Sequence, residues 1–310
     1  MKKVTIVVPA YNEAENLTLF LKETEAVCGT LSDFQFRYLF INDGSSDGTL
    51  TVLRALAAEA PAVSYLSFSR NFGKEAAIFA GLQHAAGDFV ILMDADLQHP
   101  PALIPEMLKA VTEDGFQAAG AKRKASLSSR MFTGINNKVS SVKIEKGATD
   151  FMCMSRLFVD SVLNLSESQR FSKGLFAWVG FEIRWLEYEQ KPRANGKSKW
   201  NKSKLFSYAA DGLTSFSTVP LRIVTVSGAV ICLLAFIYII ITLVKTLIFG
   251  IDVPGYVTTL CAILFMGGMI MLSIGILGSY IGRIYMETKD RPQYILAEKE
   301  LKQEKKEQQK

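Results

Sequence analysis

Two long stretches without a charged residue constrain this chain more than any other feature. They cover residues 223–244 and 253–282 of the 310-residue sequence. A helix needs roughly 20 apolar residues to cross the hydrocarbon core of a bilayer, so both stretches are long enough. The sequence therefore predicts two transmembrane helices, at residues 222–248 and 253–282.

Basic residues flank this pair of stretches and predict its orientation. Residues 191–222 carry seven Lys or Arg, and the tail after Gly282 carries eight. Because basic flanks remain on the cytoplasmic side, both termini are expected in the cytoplasm and the protein in the inner or plasma membrane. The charged tail, residues 283–310, is expected to be solvated or disordered from Glu298 onward. Residues 200–221 read as an amphipathic segment on the membrane surface, or alternatively as an ordinary packed helix.

The balance of charge narrows the class of partner. The formal net charge is +5, and basic residues cluster beside the apolar stretches. Membrane lipid headgroups or phosphates are therefore expected as partners, and nucleic acid is not. The four cysteines lack metal-ligand spacing and are expected to be reduced structural thiols.

The N-terminal half alternates between two kinds of pattern. Short apolar runs alternate with segments of helical spacing, and the runs fall at residues 4–10, which is rich in β-branched residues, 37–43, 63–69, 88–94 and 116–121. Such alternation predicts an α/β domain with a mainly parallel sheet covered on both faces. We assign the catalytic domain to residues 1–199. Ligands of such sheets bind at the carboxyl ends of the strands, which is where chemistry is expected.

An acidic pair follows the fourth predicted strand. Asp94 and Asp96 lie two residues apart, and Gln98 adds a neutral oxygen. Neighbouring carboxylates repel each other when both are ionised, and a cation relieves this repulsion. Mg²⁺ or Mn²⁺ prefers oxygen ligands and often bridges to substrate phosphates. The alternative is a polar turn before a helix that begins at Pro100 and Pro101.

Polar residues also follow the first two strands. Tyr11 and Glu13 come directly after the first strand, and Asp43 ends the second beside Gly44. The carboxyl ends of parallel strands meet at one edge, so these residues predict a nucleotide site there. For the segment after the second strand, the alternative is a turn followed by a helix cap.

Taken together, these residues resemble glycosyltransferase family 2, which has the GT-A fold. The resemblance is to the polyprenyl-phosphate glycosyltransferases and covers nearly the whole chain. It is carried by VPAYNEAENL, FINDGSSDGT, SFSRNFGKEAAI, MDADLQHPP, RFSKGLFAWVGF, RANGKSK and the C-terminal GSYIGRIYMETKDRPQY.

The resemblance implies a role for each matching position. Those for nucleotide binding are Pro9, Tyr11, Glu13, Asp43 and Asp94. Those for the metal and diphosphate are Asp94, Asp96 and Gln98. Asp150 and Asp96 are the implied catalytic residues, and Arg193 and Lys199 are the implied phosphate-binding pair. The chain departs from the family pattern at Thr149, where Gly is usual, and at Met152, where Arg is usual.

The implied reaction is an inverting, metal-dependent transfer of glucose or N-acetylglucosamine from a UDP-sugar to polyprenyl phosphate. A phosphate acceptor is largely ionised at neutral pH, so Asp150 either removes a residual proton or orients the acceptor. A homo-oligomer, a separate flippase and an outward-facing transferase are implied as partners. A processive polysaccharide synthase is one alternative, although Trp185 is not part of a Gln-x-x-Arg-Trp motif. A catalytically silent membrane scaffold is the other.

Overall fold

The computed structural model describes residues 1–123, 134, 137, 142–167, 170–189, 219–249 and 255–302. The strands within these ranges are β1 (Lys2–Ala10), β2 (Phe34–Asn42), β3 (Val63–Phe68), β4 (Phe89–Leu92), β5 (Ala118–Arg123), β6 (Ala148–Ser155), β7 (Ile183–Tyr188) and β8 (Leu296–Glu300). The α-helices are α1 (Leu17–Cys28), α2 (Thr49–Glu59), α3 (Lys74–His84), α4 (Ile104–Thr112), α5 (Arg156–Leu163), α6 (Ser172–Trp178), α7 (Val219–Phe249) and α8 (Tyr256–Thr288). A short 3₁₀ helix, Pro101–Leu103, precedes α4.

The eight strands form one sheet in the order β7-β5-β6-β4-β1-β2-β3-β8. The central strands β4, β1, β2 and β3 are parallel to one another. Strand β6 runs antiparallel to β4 and β5, β7 is parallel to β5, and β8 is antiparallel to β3. The predicted α/β domain with a mainly parallel sheet is therefore confirmed.

The apolar runs become central strands because both faces of the sheet are covered. One core cluster packs β1 and β2 against α1, α2 and α4. The other packs β1, β2, β4 and β6 against α3, α5 and α6. Gly81 lets α3 lie close to the sheet, since a Cβ there would fall 2.2 Å from Cγ1 of Val7. Because α3 follows β3 after a short loop, its start lies at the carboxyl edge of the sheet.

Two long helices occupy the regions predicted to cross a membrane. Among the described residues, one stretch, Phe265–Thr288, is long and apolar enough to do so, and Ile223–Tyr238 is apolar but shorter. Large apolar side chains on both helices are exposed, including Leu247 at 79% and Met271 at 70%. An exposed apolar surface of this extent needs lipid or protein to cover it.

The sequence predicts a solvated or disordered tail from Glu298, but residues 298–300 are ordered, because the chain returns to the sheet as β8. Its register pairs Ser67 with Glu298, and the Glu298 carboxylate accepts hydrogen bonds from Arg54 and from the Tyr65 hydroxyl. Tyr294 stacks on Phe68 with ring centroids 4.9 Å apart. A charged sequence suits an edge strand, where one side faces water.

Several predicted features lie outside the described residues. They are Arg193, Lys199, residues 200–218 of the amphipathic segment and residues 303–310 of the tail. Residues 219–221 begin α7.

Candidate active site

A cleft of about 390 Å³ opens at the carboxyl ends of the parallel strands. We call it the acidic cleft. The residues predicted for nucleotide or metal binding that line it are Pro9, Tyr11, Glu13, Asp43, Asp94, Asp96 and Gln98. They follow three different strands, β1, β2 and β4, which end at the same edge of the sheet. The structure thus brings together all of the predicted donor-side residues that it describes.

The segment after β4 presents alternate residues to the cleft and to the core. Asp96 and Gln98 line the cleft, whereas Leu97 between them is 7% exposed and belongs to the core. Leu97 has a φ of 57°, a left-handed conformation that costs a non-glycine residue roughly 1–2 kcal/mol. The backbone N–H of Gln98 donates to Oδ1 of Asp96 at 3.2 Å, which fixes that carboxylate.

The donor set at this edge fits a divalent ion. It comprises two carboxylates and one side-chain amide on one short segment. Among the described residues no group of three or more His, Cys, Asp or Glu could enclose a metal by itself. Mg²⁺ and Mn²⁺ sites of this kind use one or two carboxylates and complete their coordination with substrate phosphates and water. Asp94, Asp96 and Gln98 are the residues that would hold such an ion.

Lys74 is a central residue of the site that the sequence analysis did not single out. Its ammonium lies 2.7 Å from Oδ1 of Asp94 and 2.6 Å from Oδ2 of Asp150. Removal from water favours the neutral amine, but the carboxylates of Asp150 and Asp94 outweigh this and raise the pKa of Lys74 above its usual value. Lys74 therefore carries a fixed positive charge between the two carboxylates.

Asp150 is held ionised by two lysines. Burial by itself raises the pKa of a carboxyl group, but Lys74 and Lys173 outweigh burial and hold the pKa of Asp150 well below its usual range. The Lys173 ammonium lies 3.8 Å from Oδ1 of Asp150 and donates to the carbonyl of Ala148 at 3.2 Å. Lys173 is a second residue that the sequence analysis missed.

A buried hydrogen bond ties the two lysine-bearing helices together. The Glu75 carboxylate, next to Lys74, accepts from the Ser172 backbone N–H at 2.9 Å and from the Ser172 hydroxyl. Burial raises the pKa of Glu75, and the bonds from Ser172 oppose that rise. The starts of α3 and α6 are thereby fixed on either side of Asp150.

Asp43 organises the loop that precedes Lys74. Its carboxylate accepts from the backbone N–H groups of Phe72 at 2.7 Å and Gly73 at 3.0 Å, and from the Asn71 side chain at 2.9 Å. Burial raises its pKa, and the backbone bonds act in the opposite direction. Gly44 must be glycine here, because φ is +60° and a Cβ would lie 2.2 Å from the Arg70 carbonyl carbon.

The two departures from the family pattern have different consequences. The Thr149 hydroxyl donates to the Ala121 carbonyl at 2.8 Å and joins β6 to β5. Met152, which stands where Arg is usual, is 1% exposed and lines a second cavity of about 500 Å³ beside Asp150. The site therefore has an apolar thioether where the family pattern has a cation.

The mainly parallel α/β sheet with acidic residues at its carboxyl edge is the arrangement expected of a GT-A fold, and the match to family models identifies the class as glycosyltransferase. The family model described as Glycosyl transferase family 2 matches residues 5–162, and the one described as GtrB C-terminal hairpin matches residues 219–284. The chain belongs to glycosyltransferase family 2.

Relatives are similar along nearly their full length. The chain is 47% identical over 302 residues to CsbB of Bacillus subtilis (strain 168), covering 95% of this chain and 91% of that protein. It is 43% identical over 304 residues to the prophage bactoprenol glucosyl transferase homolog of Escherichia coli (strain K12), covering 95% and 98%.

A solved structure of similar fold is glucosyl-3-phosphoglycerate synthase from Mycobacterium tuberculosis in complex with Mn²⁺, UDP-glucose and phosphoglyceric acid. The TM-score is 0.46 at 17% identity, with coverage of 67% of this chain and 76% of that chain.

Proposed function

We propose that this chain transfers glucose from UDP-glucose to a polyprenyl phosphate at the membrane surface, with inversion at the anomeric carbon. The observation that carries the proposal is the acidic cleft, where seven predicted donor-side residues meet beside the lysine-flanked Asp150. The choice of glucose and of a bactoprenol-type acceptor is supported by a relative named bactoprenol glucosyl transferase homolog at 43% identity.

The acidic cleft suits a nucleotide diphosphate. Tyr11 is 38% exposed at its rim and offers an aromatic face, and Glu13 offers a carboxylate. Asp43 lines the wall and holds the loop that carries Lys74. Arg193 and Lys199, which match the family's phosphate-binding pair, remain proposed for the donor diphosphate or the acceptor phosphate.

Charge develops on the leaving group when the C1–O bond breaks. A divalent ion held by Asp94, Asp96 and Gln98 would neutralise that charge when bound. Lys74 lies next to Asp94 and adds a positive charge that is already in position before the reaction. A preorganised donor of this kind is typically worth about 2.7–4 kcal/mol of barrier.

The nucleophile is the acceptor's own phosphate oxygen. It attacks C1 of glucose, the bond from C1 to the UDP oxygen breaks, and UDP leaves with the bonding electrons. Because Lys74 and Lys173 hold the pKa of Asp150 below its usual range, Asp150 is a weak base. We therefore assign Asp150 an orienting role, in which it fixes the two lysines that receive the anionic reactants.

The two long helices support a position at the membrane. Their exposed apolar side chains match a lipid environment, and the acceptor tail requires one. The proposed arrangement has two spans with the catalytic domain on the cytoplasmic side. A homo-oligomer, a separate flippase and an outward-facing transferase remain part of the proposal.

The decisive experiment supplies purified protein in lipid with undecaprenyl phosphate and radiolabelled UDP-glucose. Label in the lipid extract that requires Mg²⁺ or Mn²⁺ and disappears with EDTA supports the proposal. Long polymer instead would support a processive synthase, and absence of any product with a panel of nucleotide-sugars would support a silent scaffold. UDP-N-acetylglucosamine in that panel decides between the two candidate sugars.

An Asp96→Asn variant tests the assignment of the cleft. We expect the rate of transfer to fall by about 10²–10³, which corresponds to the loss of one charge-stabilising group. Glu59→Asn, an exposed change at the end of α2, is the control and is expected to transfer at the wild-type rate. An Asp96→Asn enzyme of wild-type rate would contradict the assignment.

A further inference from the structure

A second cavity of about 500 Å³ lies next to the strand segment that carries Asp150, and its described lining shares no residue with that of the acidic cleft. We call it the lysine cavity, after Lys143, Lys146 and Lys173 in its lining. It runs beneath α6 over the face formed by β6 and β7, where Met152 and Trp185 contribute side chains. Lys173 belongs to its lining and reaches Asp150 at 3.8 Å, so the cavity opens next to the proposed reaction centre.

The charge of this cavity selects for an anion. Among the described lining residues one, Glu145, carries a carboxylate, and Lys122 neutralises that charge at 3.1 Å from outside the cavity. Lys173 is paired with Asp150, so Lys143 and Lys146 supply the excess of positive charge among the described lining residues. A phosphate bound there also avoids direct repulsion by Asp150, because Lys74 and Lys173 offset the carboxylate.

The remaining wall is apolar. It contains the side chains of Met152, Phe176, Phe181, Ile183 and Trp185. An arginine at Met152, as in the family pattern, would place a charge in this wall. A sugar phosphate would place polar groups against this apolar wall. A prenyl phosphate would instead bury the apolar surface of its chain against it.

We infer that the lysine cavity binds the acceptor, with the phosphate monoester between Lys173 and Lys146 and the first isoprene units against Trp185 and Met152. This inference rests on the proposed function and specifies where its acceptor enters. It divides the active site at Asp150, with the nucleotide on one side and the lipid phosphate on the other.

The test measures binding and transfer separately. Geranyl phosphate is titrated into the full-length protein without nucleotide-sugar, and steady-state transfer is then measured with UDP-glucose. Lys173→Gln and Lys146→Gln are each expected to weaken geranyl phosphate binding and raise its KM by about tenfold, as expected for loss of a charge-assisted hydrogen bond. The KM for UDP-glucose should stay within about twofold of the wild-type value.

A second variant tests the apolar wall. Wild-type protein should bind geranyl phosphate at least about tenfold more tightly than methyl phosphate, because only the former buries apolar area. Trp185→Leu should reduce that ratio and leave methyl phosphate binding unchanged. Lys22→Gln, an exposed change on α1, is the matched control for lysine removal.

The outcomes separate this inference from the proposed function. If the wild-type protein bound geranyl phosphate but transferred no glucose to it, the proposed function would be wrong, but the assignment of the cavity as a prenyl phosphate site would stand. Transfer by the wild type, with unchanged geranyl phosphate binding in all three variants, would overturn the assignment. A rise in the KM for UDP-glucose alone would also overturn it, because the cavity would then serve the donor sugar. Thermal unfolding of each variant identifies any that does not fold. The folded variants then decide whether the acceptor binds in the lysine cavity.

Discussion

Lys74 links the two halves of the candidate site through a single ammonium group. It contacts Asp94, which would hold a metal, and Asp150, which pairs with Lys173 of the lysine cavity. A cation between two carboxylates competes with a divalent ion for the carboxylate that both would use. The same cation supplies positive charge next to the departing diphosphate.

Lys74→Gln is expected to have opposite effects on metal binding and on transfer. Without the ammonium, Asp94 is more available, so calorimetric titration should show several-fold tighter Mn²⁺ binding in the absence of nucleotide. Transfer should fall by about 10²–10³, because one preorganised charge is lost from the transition state. Lys22→Gln should change neither quantity. Unchanged Mn²⁺ affinity together with wild-type transfer would contradict this role for Lys74.

The donor side of the site was predictable from the sequence because its residues follow strand ends directly. The residues after β1, β2 and β4 needed only the rule that ligands bind at the carboxyl edge. Lys74 and Lys173 were not predicted, since both lie at helix starts and meet Asp150 through tertiary packing. Applying the same rule to β3 would have directed attention to the segment that ends at Lys74.

Strand β8 is the element that joins the membrane helices to the catalytic domain. It follows α8 after a short segment and pairs with β3 at the edge of the sheet. Tyr294 in that segment stacks on Phe68, and its hydroxyl donates to the Gln83 side chain of α3 at 2.7 Å. The segment that follows α8 is thus attached to α3, the helix that carries Lys74.

The ion pair of β8 gives it a predictable dependence on pH. Hydrogen bonds from Arg54 and Tyr65 lower the pKa of Glu298 to about 2, from an ordinary value of 4.5. A lowered folded-state pKa adds stability that is fully present above pH 4.5 and is lost as the pH falls from there through about 2. The pair is solvent-exposed, so its contribution is small.

We expect Glu298→Gln to lower the melting temperature slightly at pH 7, by about 1–2 °C. The gap to the wild type should narrow as the pH is lowered from 4.5 towards 2, where the wild-type carboxylate is also protonated. Thermal unfolding across this range is the measurement, and Glu59→Gln on α2 is the control. A gap that stays constant with pH would show that the charge of Glu298 is not what stabilises β8.

The elements differ in how far the sequence could predict them. The apolar runs of β1 to β4 are largely buried on both faces and gave clear patterns. Strand β6 was not predicted, because ATDFMCMS reads as apolar without a clear period, and β7 and β8 alternate with charged residues. Whether such a segment forms a strand depends on the neighbouring strand that it pairs with, and a single sequence does not show which strand that is.

For the molecule as a whole, the pairing of β3 with β8 restricts how the chain can meet a membrane. Strands β1 to β7 precede the two long helices and β8 follows them, yet all lie in one sheet. The two ends of the helical pair must therefore be on the same side of any bilayer. A single crossing is excluded by this connectivity, although only one described stretch meets the length and hydropathy requirement. The pair crosses twice or does not cross.

Exposed apolar side chains along both helices favour two crossings, and cysteine labelling can test this. One cysteine at a time is added to the full chain, as Lys22→Cys on α1, Asp252→Cys between the helices or Lys299→Cys on β8, and labelling is compared with that of the unsubstituted chain, which carries the same four native cysteines. In intact spheroplasts, a membrane-impermeant maleimide should label only Asp252→Cys, and permeabilisation should expose the other two. Labelling of Lys299→Cys from outside, with Lys22→Cys protected, would mean a single crossing and would be incompatible with β8 in the catalytic sheet. Protection of all three until permeabilisation would mean that the helices lie along one face of the membrane, because the connectivity of the sheet allows only these two arrangements.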